Sequence, residues 1–285
     1  MPVVVVGAGY TGNRALSAFD HSIGISRNPP AESGGGQFFT CDLDLDIPRP
    51  IALPDSYAML YTVPPASDGP PDRRLHRLLG SVRPTAKRMV YLSTSGVYGD
   101  RRGELTGEST PPLPATDKAK RRLDAERQVL EYCRANAIAA VILRVPGIYG
   151  PGRLRSGRAE SALPVLLEKD ASPGNRIHID DLLSCCIAAL AAETPAGIYN
   201  VGDGNFHSST WFACKIAALA GLPRPPQVAL DVARKTFAAE RLEFLVESRR
   251  LDTSKMRNVL GVVPRFLDPE DGIRASLADE GMLKS

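Results

Sequence analysis

Apolar positions along the chain fall in short runs divided by stretches of helical spacing. Pro2–Val6 is an unbroken apolar, β-branched run, the pattern of a strand buried on both faces. Tyr10–Phe19 reads as a helix, Ser22–Ser26 and Gln37–Thr40 as strands, and Ala58–Val63 as a strand stopped by Pro64-Pro65. Asp72–Leu79 is helical and Arg88–Ser93 extended. Ala119–Ala135 is a long helix with Leu123, Leu130 and Cys133 on its apolar face, and Ile138–Leu143 is a further strand. Strands alternating with helices predict an α/β fold, a doubly wound parallel sheet of the Rossmann type covered on both faces.

After Pro146 the pattern loosens. Residues 146–176 read as loop with one short helix near Leu163–Glu168. Asp180 is expected to cap a helix over Asp181–Ala192, followed by a strand at Gly197–Val201 and a helix at Ser208–Ala220. Residues 231–260 look mainly helical, and a last helix opens at Asp268-Pro269 and runs to Gly281. The expected organisation is a dinucleotide-binding domain over 1–150, with 178–202 returning to it. Residues 151–177 and 203–285 build a smaller substrate-side C-terminal lobe.

The first strand runs into Gly7-Ala8-Gly9-Tyr10-Thr11-Gly12, a G-x-G-x-x-G that opens a helix. The first glycine permits a tight turn, the second admits a pyrophosphate to the backbone, and the third lets helix and strand pack closely. The helix N-terminus then offers free N–H groups to the phosphates. At the tip of the second strand stands Ser26-Arg27, with no acid before Glu32. An arginine there accommodates a 2′-phosphate, so NADP(H) is favoured over NAD(H), a solvated loop charge being the other reading of Arg27.

Composition narrows the field. With 35 basic and 32 acidic residues the formal charge is +3, which argues against a polybasic nucleic-acid binder. No apolar run approaches the roughly 18 residues of a membrane span, and Met-Pro-Val leads directly into the glycine loop without the features of a signal peptide. The five cysteines show neither a disulfide framework nor zinc spacing. The expectation is a cytoplasmic protein with reduced thiols, no metal, and a small-molecule partner rather than a nucleic acid or membrane.

Further segments follow in order: Tyr91-Leu92-Ser93-Thr94-Ser95-Gly96-Val97-Tyr98-Gly99, then Leu143-Arg144-Val145-Pro146-Gly147-Ile148-Tyr149-Gly150, then Arg176-Ile177-His178-Ile179-Asp180-Asp181, then Tyr199-Asn200-Val201-Gly202. With the glycine loop, this set resembles the extended short-chain dehydrogenase/reductase family, the NAD-dependent epimerase/dehydratase group. The resemblance implies a Rossmann domain with a C-terminal substrate lobe. It implies that Asp42 and Leu43 contact adenine, that Thr62, Val63 and Pro64 lie over the cofactor ribose and phosphate, and that Pro146, Gly147 and Ile148 lie against the nicotinamide. Thr94 matches the residue whose hydroxyl bonds the reacting oxygen of the substrate. Ser95, Tyr98, Arg153 and His178 fall where the family builds its substrate pocket. Arg153 could equally be an exposed loop charge, and His178 could merely orient a helix cap.

The family's acid/base is a tyrosine four residues before a lysine on the long helix. No tyrosine here is followed by a lysine at that spacing. Counting back from Glu126 puts Lys118 at the tyrosine's place and Arg122 at the lysine's. Four residues apart, they share one helix face. Arg122 is suited to ribose hydroxyls. Lys118 is a poorer proton shuttle than a tyrosine, and acts as acid/base only where neighbouring positive charge lowers its proton affinity; the alternative is that Lys118 and Arg122 belong, with Lys120 and Arg121, to the basic solvated side of a surface helix. The Asp-Glu pair of the family's dehydratases is replaced by Ser95-Gly96, which disfavours dehydration. The Asp44–Asp55 connection is too short and proline-rich for a full crossover helix.

Two functions compete. One is an NAD(P)-dependent oxidoreductase or epimerase acting on a polar small molecule such as a sugar or sugar nucleotide. The other is a catalytically inactive NADP(H)-binding sensor or scaffold. A flavin- or nucleotide-binding protein reusing the loop is a weaker third. Arg101, Arg102, Arg153, Arg155, Arg158 and Arg176 hint at an anionic substrate. Monomer and homodimer are both open, the basic first turn of the long helix opposing pairing there.

Overall fold

The computed structural model describes residues 1–29, 37–47, 50–67, 71–154, 157 and 162–284. Arg155, Arg158 and Glu32 lie outside the described residues.

Seven parallel strands form the central sheet: β1 (Val3–Val6), β2 (Ser22–Ser26), β3 (Gln37–Thr40), β4 (Tyr57–Tyr61), β5 (Ala86–Thr94), β7 (Ala139–Val145) and β11 (Gly197–Asn200). Their spatial order is β11-β7-β5-β4-β1-β2-β3. The order reverses between β1 and β4, and ligands of such sheets bind in the crevice at that switch point.

Alternation along the strands explains the two cores. Val3, Val5, Ala58, Leu60, Val90, Leu92, Val141 and Leu143 face one side, where α1 (Tyr10–Ser17) and α4 (Ile179–Leu190) cover them. Val4, Val6, Met59, Tyr61, Met89, Tyr91 and Ile142 face the other, under α2 (Arg73–Ser81) and α3 (Asp117–Ala135). Both faces are therefore dry, which is why β1 needs four valines in a row. On α3 the buried positions are Ala119, Ala125, Glu126, Val129 and Cys133, while Leu130 is exposed. The sheet-facing stripe is thus rotated from the expected one, because the buried Glu126 occupies the place an apolar residue would take.

Between β3 and β4 the described residues form no helix.

The remaining elements build the lobe at the C-terminal edge. Three two-stranded parallel pairs tie it together: β8 (Gly147–Tyr149) with β10 (Arg176–His178), β9 (Val165–Leu166) with β12 (Gln227–Val228), and β6 (Leu105–Thr106) with β13 (Arg250–Leu251). Helices α5 (Ser209–Leu219) and α9 (Pro269–Asp279) pack over Tyr149 and Leu154 through Ile216, Ala220, Ile273 and Leu277. The short helix expected near Leu163–Glu168 is instead strand β9 followed by one 3₁₀ turn at Glu168–Asp170. Pairing with β12, remote in sequence, overrides the local pattern. The helix expected from Asp181 starts two residues earlier. Its cap is His178, whose Nδ1 accepts from the Asp180 N–H at 3.2 Å, and not Asp180. Residues 231–260 form α6 (Leu230–Thr236), α7 (Ala239–Val246) and α8 (Ser254–Asn258), with β13 between the last two.

Candidate active site

The glycine loop closes the C-terminal end of β1. Gly7 has φ +97° and donates its N–H to the Ile25 carbonyl at 2.8 Å. A Cβ on Gly7 would stand 2.7 Å from Thr62 Oγ1, and one on Gly12 would overlap the Gly7 carbonyl. A Cβ on Gly9 would meet nothing within 4 Å. The three glycines thus divide into two that internal packing requires and one that faces open space. Gly9 is the N-cap of α1 and supplies no side-chain cap, so the first N–H groups of that helix are left for a ligand. Tyr10 and Thr11 supply the next amides. Thr62 Oγ1 lies within hydrogen-bond reach of the Val6 (3.0 Å) and Gly7 (2.9 Å) carbonyls and so fastens the loop after β4 to the glycine turn. An open cradle lined by uncapped amides fits the pyrophosphate of a dinucleotide.

At the adenosine end, Cys41 N–H bonds the Ser26 carbonyl at 3.0 Å and brings the chain after β3 beside the tip of β2. Asp42 Oδ1 accepts from the Asp44 N–H at 3.0 Å, and Leu43 is buried. Arg27, with 59% of its side chain exposed, touches Asp44 at 3.3 Å. Arg74 of α2 grips the same carboxylate at 2.6 and 2.7 Å and reaches the Pro64 carbonyl at 3.0 Å. The Arg74 hydrogen bond holds Asp44 below the usual carboxylate range. No local pattern marked Asp44 or Arg74; only the fold brings them to Arg27.

At the reaction end, Thr94 terminates β5 and caps a 3₁₀ turn at Ser95–Tyr98, its Oγ1 accepting from the Gly96 N–H at 3.1 Å. The hydroxyl proton stays free to be donated. Gly96 lies against Ala119, so the first turn of α3 borders this point. Lys118 is exposed there. Arg122 is half-buried, its Nη1 bonding the Leu92 carbonyl at 2.8 Å and the Tyr91 hydroxyl at 3.1 Å. Tyr91 stacks on Tyr61 with ring centroids 5.7 Å apart, and burial lifts the Tyr91 phenol to about 12. Beneath lies a buried ion pair, Arg144 Nη2 to Glu126 Oε2 at 2.8 Å, with the Ser93 hydroxyl donating to Glu126. It braces β5, α3 and β7 just below the site. Pro146, Gly147 and Ile148 leave β7 on the same edge, Gly147 exposed and Ile148 half-buried.

The residues expected in a substrate pocket separate. Ser95 is buried in the 3₁₀ turn. Tyr98 is fully buried and donates to Asn200 Oδ1 at 2.7 Å. His178 is 2% exposed and spends both ring nitrogens internally, on the Asp180 N–H and on Ser276 Oγ at 3.1 Å. Neither Tyr98 nor His178 presents a polar atom to a ligand. Arg153 lies 4.1 Å from the centroid of the Tyr10 ring, as does Arg14, and so joins the glycine loop instead. Arg176 is bound to the His207 carbonyl at 2.8 Å, and burial lowers it to about 10. A cavity of about 570 Å³ opens beside the loop that follows Tyr98, lined among others by Asp100, Arg102, Lys169, Ser248 and Arg250. None of the glycine-loop residues lines it, nor does Thr94 or Arg122.

The family described as NAD dependent epimerase/dehydratase matches residues 75–202. A dTDP-6-deoxy-L-talose 4-dehydrogenase (NAD(P)(+)) of Kitasatospora kifunensis is 24% identical over 293 residues, 92% of this chain and 90% of that protein. A putative UDP-arabinose 4-epimerase of Arabidopsis thaliana is 29% identical over 50% of this chain and 42% of its own. Among solved structures, a conserved protein of unknown function from Silicibacter pomeroyi superposes with TM-score 0.79 at 27% identity, over 98% of this chain and 99% of that one. The UDP-glucuronic acid 4-epimerase of Bacillus cereus, solved with NAD, superposes over the full length of both chains with TM-score 0.74 at 19% identity, a likeness of fold. Residues 75–202 thus match the NAD dependent epimerase/dehydratase family, and the chain has the Rossmann-like α/β fold of the solved epimerases on which it superposes.

Proposed function

We propose that this protein is an NAD(P)-dependent oxidoreductase or epimerase whose substrate is a sugar nucleotide. The carrying observation is the cradle at Gly7, Gly9 and Gly12: two positions closed by packing, one open over uncapped amides. Gly9, Tyr10 and Thr11 hold the pyrophosphate, Asp42, Leu43, Val63 and Pro64 enclose the adenosine half, and Pro146, Gly147 and Ile148 back the nicotinamide. Arg27 favours NADP(H) over NAD(H). When bound, the nicotinamide supplies a hydride acceptor or donor.

The chain's own groups handle the rest. Thr94 donates its free hydroxyl proton to the reacting oxygen and so positions the carbinol carbon. Arg122, fixed through one nitrogen by Leu92 and Tyr91, directs its remaining N–H groups at ribose hydroxyls. Lys118, on the exposed first turn beside Thr94, exchanges the proton with solvent. The cationic cavity is large enough for part of a sugar nucleotide. Its anions are engaged elsewhere: Asp100 accepts from the Arg102 and Ser248 N–H groups, and Asp170 from the Leu230 N–H. Arg250 keeps its Nε on the Gly103 carbonyl at 2.6 Å, and its remaining N–H groups, with Arg102 and Lys169, are left to a diphosphate. Reduced cysteines and a cytoplasmic setting accord with the five free thiols.

The test is turnover of a panel of UDP- and dTDP-sugars with NADPH or NADP, alongside calorimetric binding. Thr94→Val is expected to abolish turnover and leave NADPH affinity unchanged. The second reading, an inactive NADP(H)-binding sensor or scaffold, draws on Lys118 standing where the family has a tyrosine. It wins if NADPH binds, no panel member turns over, and Lys118→Ala leaves the affinity intact.

A further inference from the structure

Arg27, Asp44 and Arg74 come from three segments that meet only in the fold: the tip of β2, the chain after β3, and the first turn of α2. Their contacts are unequal. Arg74 holds Asp44 through two bonds of 2.6 and 2.7 Å, and its third arm reaches Pro64. Arg27 meets the same carboxylate once, at 3.3 Å, and is largely exposed. Oδ1 accepts from Arg74 and Oδ2 from both arginines, so at most one acceptor site, on Oδ1, is left, short of the pair that would bind two ribose hydroxyls. What it does is neutralise Arg27, the cation that a 2′-phosphate would use.

We infer that Asp44 sets the cofactor preference of this site by acting as a counter-ion to Arg27, held in place by Arg74. This rests on the dinucleotide reading above. A 2′-phosphate takes Arg27 from its single long contact while the Arg74–Asp44 pair stays closed. The phosphate then lies near a fixed carboxylate, and like charges repel. The natural chain therefore accepts both cofactors with only a modest lead for NADPH. Asp44 is a specificity residue that acts through Arg27, and Arg74 positions it.

Calorimetric titration of NADPH and NADH into wild type, Asp44→Asn, Arg27→Ala and the double variant tests this. Asp44→Asn is expected to tighten NADPH about fivefold, the scale of an exposed ion pair, with NADH within about twofold. In the Arg27→Ala background the same change should give no gain. A loss of both cofactors together in Asp44→Asn would mean that the carboxylate binds ribose or holds the loop, and would overturn the inference. So would an equal gain with and without Arg27. If wild type binds neither cofactor, the dinucleotide reading itself fails. If wild type binds both and the cycle shows no coupling, only the role of Asp44 fails.

Discussion

Gly9→Ala separates a site built for a ligand from a turn built for itself. Gly9 has φ −89° and ψ −159°, extended backbone open to alanine. The new methyl meets no heavy atom within 4 Å. Alanine is the poorer N-cap by up to about 1 kcal/mol. The stiffer unfolded chain returns about 0.4–1 kcal/mol. The net stability change is close to zero, and the melting temperature should stay within about 2 °C at ~2–4 °C per kcal/mol. The methyl would nonetheless occupy the space over the uncapped amides of α1. NADPH affinity should fall at least about tenfold, ~1.4 kcal/mol. Gly12→Ala behaves in the opposite way. Its Cβ collides with the backbone carbonyl of Gly7, which cannot swing aside as a side chain can, so the variant should lose more than about 3 kcal/mol and melt roughly 6–12 °C lower. Thermal melts and calorimetry on the two variants decide the matter. A Gly9→Ala protein that folds and binds NADPH like wild type would refute the placement of the pyrophosphate over Gly9.

Other outcomes follow from the same structure. Glu126→Ala strands the Arg144 guanidinium, 2% exposed, without its partner; urea unfolding should show a loss of about 3–5 kcal/mol, and Glu126→Leu with Arg144→Met should recover most of it. Arg122→Ala should raise the KM for cofactor about tenfold, and Tyr91→Phe, which keeps the stack on Tyr61 but leaves Arg122 only the Leu92 carbonyl, by a smaller factor, about two- to fivefold; equal effects would show that Tyr91 does more than orient the arginine. Burial lifts the Asp203 carboxyl from 3.8 to about 7. The folded state then keeps a proton the unfolded chain has released, so this residue lowers stability as pH rises from about 4 to 7. Asp203→Asn should remove that slope from a plot of unfolding free energy against pH.

The sheet was legible because its strands carry their own evidence: a strand buried on both faces reads as an apolar run, and Val3–Val6 and residues 139–143 do, Arg144 being the charged exception that Glu126 neutralises. The glycine loop was legible because its constraints are local. Val165–Leu166 was not, since its extended form comes from Gln227–Val228, some sixty residues away. The cap of α4 was misplaced because Asp180 is the better intrinsic cap, yet the packing of His178 between Phe266 and Ser276 decides the start. Arg27 was read without its partner because Asp44 belongs to another strand's exit. Tyr98 looks chemical by type and spacing, and burial makes it an internal strut, whereas His178 takes the helix-cap role that its place beside Asp180 also offers.

Strand β11 has a consequence for how the chain is made. It completes the sheet by pairing with β7, yet Gly197 is synthesised only after the whole stretch that follows Val145. During that interval β7, with Val141, Ile142 and Leu143 at its centre, presents an open edge of backbone donors and acceptors and an apolar face not yet covered by α4. A ribosome that pauses between these points holds out a template for another chain. Slower translation over residues 146–200 lengthens the time that edge stands unpaired, and is expected to favour aggregation over assembly.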